Sequence, residues 1–204
     1  IYQQTAVANP GANIGLEAQR GLVILYEEWQ KPTEAEAALQ NLVTNFSQNQ
    51  YITWEVFGIA ERYNGQNKKA TANKFYKCVV NNWPQSEPAM WAQRLAIIND
   101  IDLGNDAGAQ EGIEQLLLNY ANSPYIASVL FTVSEKCRQL DDPNRIDQFY
   151  QYILDMGPQV EFTLWPQVAK AMSNINIGDY NTAEAIIDQM AVEYSQHPYI
   201  EYAI

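Results

Sequence analysis

Residues 51–84 read YITWEVFGIAERYNGQNKKATANKFYKCVVNNWP. Two stretches able to form helices flank a break. The first covers 51–63 and stops at Asn64-Gly65-Gln66, a cluster that favours a turn. The second covers 67–82, and its apolar residues Ala72, Phe75, Tyr76, Val79 and Val80 recur at helical spacing. Such spacing gathers them on one face. Trp83-Pro84 ends the stretch, because proline disfavours a helical conformation in the residue before it. The segment reads as helix, turn, helix, stop.

The same reading recurs with a period of 37 residues. Stepping by 37 joins Ala35, Ala72, Ala109, Ile146 and Ala183. It also joins Trp54, Trp91, Ser128 and Trp165, and Phe46, Trp83 and Tyr120, with Met156 and Tyr194 one residue off phase. A step of 74 joins Tyr51-Ile52, Tyr125-Ile126 and Tyr199-Ile200. A fixed period of this length marks a repeat architecture. Breakers fall inside each unit at Lys31-Pro32-Thr33, Asn64-Gly65-Gln66, Gly104-Asn105-Asp106, Asp141-Asp142-Pro143 and Gly178-Asp179. Pro32 and Pro143 suit a first helical turn, and Thr33 with Glu36 fits a capping box. The pattern predicts helices over 14–29 and 33–46, 51–63 and 67–82, 87–103 and 106–120, 124–139 and 143–156, and 161–176 and 180–195.

One helix pair cannot bury its own apolar stripe, but stacked pairs can. The expected fold class is therefore all-α: a right-handed superhelical solenoid of about five antiparallel helix pairs. The expected domain is a single helical-repeat domain over 1–204, with units at 14–46, 51–82, 87–120, 124–156 and 161–195. Residues 198–204 read as the start of a further unit. The alanine series would let helices approach closely, and the tryptophan series is expected to fill the core between units.

This pattern resembles the tetratricopeptide repeat, whose signature runs W-x-x-L-G-x-x-Y, then A-x-x-x-F, then P. Trp54-Glu55-Val56-Phe57-Gly58 matches the first part, and Ala72, Tyr76 and Pro84 match the second. Gly178-Asp179-Tyr180-Asn181-Thr182-Ala183 resembles the family's turn between paired helices. The departures are a unit of 37 residues, Leu95 in the phase of Gly58, and Glu61 in the place of the signature tyrosine.

The resemblance implies a non-catalytic protein–protein interaction scaffold. It would bind a peptide or protein in a concave groove lined by the first helix of each pair. The groove positions it implies lie one, five and eight residues after the Trp phase. These are Glu55, Ile59 and Arg62; Ala92, Ala96 and Asn99; Val129, Val133 and Lys136; Pro166, Lys170 and Ser173. The polar members, Glu55, Arg62, Asn99, Lys136, Lys170 and Ser173, are the candidate partner-binding residues.

The unit junctions carry a narrower resemblance. NYANSPYI (119–126) and EYSQHPYI (193–200) are similar to a phrase common in tetratricopeptide-like lipoproteins of the bacterial envelope. This implies an extracytoplasmic bacterial protein, periplasmic or outer-membrane associated; the alternative is cytoplasmic. The start at Ile1, without Met, leads us to expect a piece of a longer protein.

Composition bounds the chemistry. The net charge of −12 and pI near 4.4 argue against nucleic acid as partner. No 18-residue apolar run is present, so no membrane span is expected. Eighteen Asn and nineteen Gln nearly match the charged residues in number, so amides carry much of the polar surface. Residues 1–77 hold seven basic and seven acidic side chains, whereas 78–204 hold five and seventeen. A basic segment on the partner would suit the acidic half.

Cys78 and Cys137 read as core thiols. With His197 as the sole histidine and no nucleotide, metalloprotease or nucleophile-elbow motif, no catalytic residue, metal site or cofactor is expected. DIDLGNDAG (100–108) lacks the oxygen donors of a calcium loop at Leu103 and Gly104. Two alternative functions remain at this point. One is a self-assembling structural element of the cell envelope, stacking through open solenoid ends. The other is a glycan or small-molecule binding domain whose groove is lined by Trp and Tyr.

Overall fold

The computed structural model describes residues 1–10, 12–140, 143–156, 160–197 and 200. Among the described residues the regular structure is helical throughout. The helices are α1 (Tyr2–Ala8), α2 (Asn13–Glu28), α3 (Pro32–Asn45), α4 (Ile52–Gly65), α5 (Lys69–Asn82) and α6 (Glu87–Leu103), then α7 (Asp106–Tyr120), α8 (Ile126–Arg138), α9 (Pro143–Met156), α10 (Val160–Asn176) and α11 (Tyr180–Glu193). From α2 onward these are the ten helices expected from the repeat, and no end differs by more than two residues. The expected start of a further unit at 198–204 lies outside the described residues, apart from Ile200.

The turns within four of the pairs, α2–α3, α4–α5, α6–α7 and α10–α11, share one form. Gln30 (φ 54°), Asn67 (φ 59°), Gly104 (φ 73°) and Gly178 (φ 82°) are left-handed, and all four occupy one phase of the 37-residue step. At each, the following residue donates its N–H to the carbonyl five residues back. These bonds are Lys31 to Tyr26, Lys68 to Tyr63, Asn105 to Asp100 and Asp179 to Asn174, at 2.8–2.9 Å. The left-handed residue itself donates to the carbonyl three back. This is the Schellman closure, which satisfies carbonyls that the helix end leaves open. Asn105 then caps α7 by accepting from the Gly108 N–H, and Asp179 caps α11 through Thr182. At α3 the expected capping box is not used. The helix opens at Pro32 with Lys31 as its cap residue, so Thr33 is already inside the first turn.

The chain forms two compact units, 1–96 and 97–204. In the first, α2 packs on α3, α4 on α5, and α2 on α4. Its core holds Leu16, Leu42, Ile59 and Tyr76, with Tyr63 stacked on Phe75 at 5.8 Å. Gln19 donates from Nε2 to the Ala38 carbonyl at 2.8 Å, so this buried amide ties α2 to α3. In the second unit, α8 packs on α9 and α10, α10 on α9 and α11, and α7 on α9. Its core includes Ile113, Leu116, Phe149 and Tyr150, and a cluster of Leu164, Ala171, Ile186, Met190 and Tyr194. First helices thus neighbour first helices, and second helices neighbour second helices. Ala35, Ala72, Ala109 and Ala183 are buried, as the periodic small residue requires.

The short helix α1 is absent from the sequence reading, since seven residues span too few turns to show periodicity. It packs on α2 over two glycines. A Cβ on Gly15 would run into the Asn9 carbonyl, and one on Gly21 would lie 3.1 Å from the Tyr2 ring.

Two predictions follow from backbone and burial. The space around Gly104 is open, so Gly104→Ala tests the left-handed backbone alone. It should lower stability by about 1 kcal/mol, while Gln30→Gly should raise it by about 0.5–1 kcal/mol, read from urea midpoints. The second concerns alkaline pH. Burial, then Glu28 and Glu27, pushes the Tyr63 phenol up to about 12, and burial pushes Tyr120 up to about 12. Their contribution is fully present below the unfolded phenol value of about 10 and is lost as pH rises through the folded value. The urea midpoint should hold to about pH 9 and fall between about pH 10 and 12, less steeply in Tyr63→Phe/Tyr120→Phe.

Candidate interaction face on the first helices

Side-chain exposure shows which face each first helix turns to water. On all five first helices the positions zero, three, seven and ten residues after the Trp phase carry the exposed or half-buried side chains, the buried Ile101 of α6 excepted. On α4 these are Trp54, Phe57, Glu61 and Asn64; on α8, Ser128, Phe131, Glu135 and Arg138; on α10, Trp165, Val168, Met172 and Ile175. Spacing of three and seven keeps them on one stripe. Tyr51 and Tyr125, at the N-terminal ends of α4 and α8, extend it by three residues.

This corrects two expectations. The tryptophan series does not fill the core: Trp54 is 45% exposed, Trp91 and Trp165 are half-buried, and Ser128 is exposed. The expected groove register is mostly inward. Ile59, Ala92, Ala96, Val129, Val133 and Pro166 are buried, as are Asn99 (3% exposed) and Ser173 (6%). Small and β-branched residues there allow close approach to neighbouring helices.

The other four candidate residues reach solvent, yet their polar ends are engaged within the chain. Glu55 of α4 pairs with Arg20 Nε of α2 at 3.1 Å, and Arg62 of α4 with Glu28 of α2 at 3.6 Å. Lys136 of α8 makes a close ion pair with Asp102 of α6. Lys170 of α10 donates to Gln151 Oε1 of α9 at 3.4 Å. Glu55, Arg62 and Lys136 staple one first helix to the one before it. The basic group at 62–77 is likewise tied down in part, Lys68 to Glu28 at 3.4 Å and Lys74 to Glu27 at 2.8 Å and Glu36 at 3.1 Å.

On the exposed stripe, aromatic rings meet edge to face. In the first unit Trp54 lies 5.8 Å from Phe57, which is 5.7 Å from Tyr76. The Tyr76 hydroxyl donates to Glu61 in a short hydrogen bond, and its pKa stands well above the phenol range, through burial first and then Glu61. The Arg94 guanidinium lies 5.1 Å over the Trp91 ring. In the second unit Phe131 of α8 meets Trp165 of α10 at 5.4 Å and 72°. Tyr125, Phe131, Met172 and Ile175 there are 42–57% exposed. Single exposed apolar residues are ordinary on a surface, but a run at one register on adjacent helices marks a contact face.

No group of His, Cys, Asp and Glu among the described residues is arranged to hold a metal. At 100–108, where α6 ends and α7 begins, Asn105 Nδ2 donates to Asp100 Oδ1 at 3.0 Å while its Oδ1 accepts from the Gly108 N–H, so Asn105 serves as the cap of α7. Burial first, then Glu36, pushes the Cys78 thiol up to about 11, which disfavours the thiolate. Clefts of about 500 and 640 Å³ flank α1, and the second is crossed by the Arg20–Glu55 pair. No described helix is long and apolar enough to cross a membrane.

No family model and no curated protein matches the chain. Among solved structures it is similar to the crystal structure of a tetratricopeptide repeat protein from Parabacteroides merdae. That match has 15% identity and a TM-score of 0.45, and covers 92% of this chain and 70% of that one.

The staple role can be measured. The Lys136 and Asp102 side chains are only 24% and 18% exposed. A double-mutant cycle of Lys136→Met with Asp102→Asn should give a coupling of about 0.2–1 kcal/mol in urea unfolding, near the upper end because the pair is shielded.

Proposed function

We propose that the chain is a non-catalytic protein–protein interaction scaffold that receives its partner on the exposed stripe of the first helices. The observation that carries this reading is the run of Trp, Phe, Tyr, Met and Ile at one solvent-facing register, where a face with no partner would be polar. Repeated helix pairs suit such work, because each pair adds a strip of surface without changing the rest. In this reading the contact residues are Trp54 and Phe57 on the first unit and, taken by itself, Phe131, Trp165, Met172 and Ile175 on the second, with Glu55 and Arg62 in the first and Lys136 and Lys170 in the second supporting the helices.

The setting we favour is the bacterial envelope, on the strength of the junction phrases at 119–126 and 193–200. In the first of these Tyr120 and Ile126 are buried, so packing accounts for them, whereas Tyr125 is exposed and packing does not.

The test is to pan a displayed peptide library against the chain and against Phe131→Ser/Met172→Ser. Both substituted residues are more than two-fifths exposed, so the melting temperature should stay within a few degrees. Peptides enriched on the parent chain should lose about tenfold or more in affinity for the variant. Enriched peptides indifferent to the variant, or none enriched, would end this reading of the face.

A further inference from the structure

We infer that the stripe of the second unit takes a basic, amphipathic helical segment of another protein; this rests on the scaffold reading above. The first ground is geometry. Phe131 with Trp165 forms one apolar contact, and the exposed Met172 and Ile175 stand about two to three turns further along α10. The seven residues from Trp165 to Met172 advance about 10.5 Å along the helix axis. That is the rise between positions i and i+7 of an occupant helix, the spacing at which helix-in-groove ligands place their anchors. The methionine thioether adapts to more than one apolar anchor.

The second ground is charge. Residues 97–204 hold sixteen acidic and four basic side chains. Of the four cations, Lys136 is paired with Asp102, Arg138 with both oxygens of Glu135 at 2.9–3.2 Å, and Lys170 donates to Gln151. The fourth, Arg145, lies on α9, a second helix. The stripe therefore offers apolar anchors with no uncommitted cation among Lys136, Arg138 and Lys170 to greet an acidic partner. It sits on a unit whose field is negative. Complementarity selects a ligand with apolar anchors along one side and Lys or Arg along the other.

The experiment uses three labelled 18-residue peptides and the whole chain, read by fluorescence anisotropy at low salt. One is an amphipathic Leu/Lys helix, one its Leu/Glu counterpart, and one a scramble of the Leu/Lys composition. The Leu/Lys helix should bind one to one, and both other peptides should bind at least about tenfold more weakly. Phe131→Ser/Met172→Ser should weaken the Leu/Lys helix by about tenfold or more, with Tyr125→Ser/Ile175→Ser as a second variant should the first lose its circular dichroism.

Equal binding of the Leu/Glu helix overturns the basic partner while leaving the face as a docking site. Equal binding of the scramble overturns the helical occupant. Binding that survives both serine variants but falls in Glu184→Gln/Asp188→Gln shows the cations are read by α11, and the proposal fails. If none of the three binds, the proposal fails, and the library panning still decides separately whether the face is a scaffold surface.

Discussion

The left-handed residue between paired helices is the constraint from which the rest of the arrangement follows. It recurs at 30, 67, 104 and 178, and a buried alanine stands five residues later in α3, α5, α7 and α11, at 35, 72, 109 and 183. The closure turns the chain sharply enough for the second helix to lie back against the first. The alanine is buried and adds the least bulk, which lets packed helix axes come close. Shifting the turn by one residue would rotate the second helix by about 100° and present a larger side chain at the contact. Turn geometry and packing are thus locked in a single phase, and the 37-residue period is the trace of that lock. Gly104 and Gly178 fill the position without strain and Asn67 suits it well, while Gln30 holds it without that advantage.

Most of the fold could be read from the chain because its signals are local. Breakers and helical periodicity place ten helices to within two residues, since turn residues and apolar spacing report on backbone conformation directly. The helix α1 escaped because its contact with α2 depends on Gly15 and Gly21, whose role is visible only once Asn9 and Tyr2 are seen against them. The exposed face escaped for another reason. Tryptophan at a fixed phase reads as core under the rule that apolar residues lie inside, but that rule runs one way, and tryptophan is seldom fully buried. A better signal was present in three of the four residues five positions after the Trp phase, Ile59, Ala96 and Val133, the fourth being Lys170. Those three side chains are small or β-branched, as a close helix contact requires, and all three are buried.

The same separation of faces explains how the second unit can stay in water with an apolar stripe. Its second helices α7, α9 and α11 carry eight carboxylates, Asp106, Glu111 and Glu114, then Asp147 and Asp155, then Glu184, Asp188 and Glu193, against the single cation Arg145. Its first helices α8 and α10 carry the other three cations, and each is engaged. Repulsion between like-charged second-helix faces opposes unspecific association, so the first-helix face need not be polar. The first unit solves the same problem differently. Its eight cations and eight anions cancel, and many are spent on ion pairs between helices. Charge there holds neighbouring helices together, whereas in the second unit it mainly sets the surface potential.

That contrast bears on where specificity would arise. Exposed ion pairs are worth little and weaken further with salt, so the stapled charges of the first unit are poor sources of binding energy. Releasing Glu55 or Arg62 to meet a partner would first cost its existing pairing with Arg20 or Glu28. Desolvating Phe131, Trp165 and Met172 carries no such cost, and large aromatic residues in a well-packed contact supply most of the energy in protein interfaces. An uncompensated negative field can then discriminate among ligands that satisfy the apolar anchors equally, acting chiefly on approach and on rejection of acidic ones. Anchor and filter thus reside on different helices of the same pairs, and the period that stacks the pairs keeps the two in register.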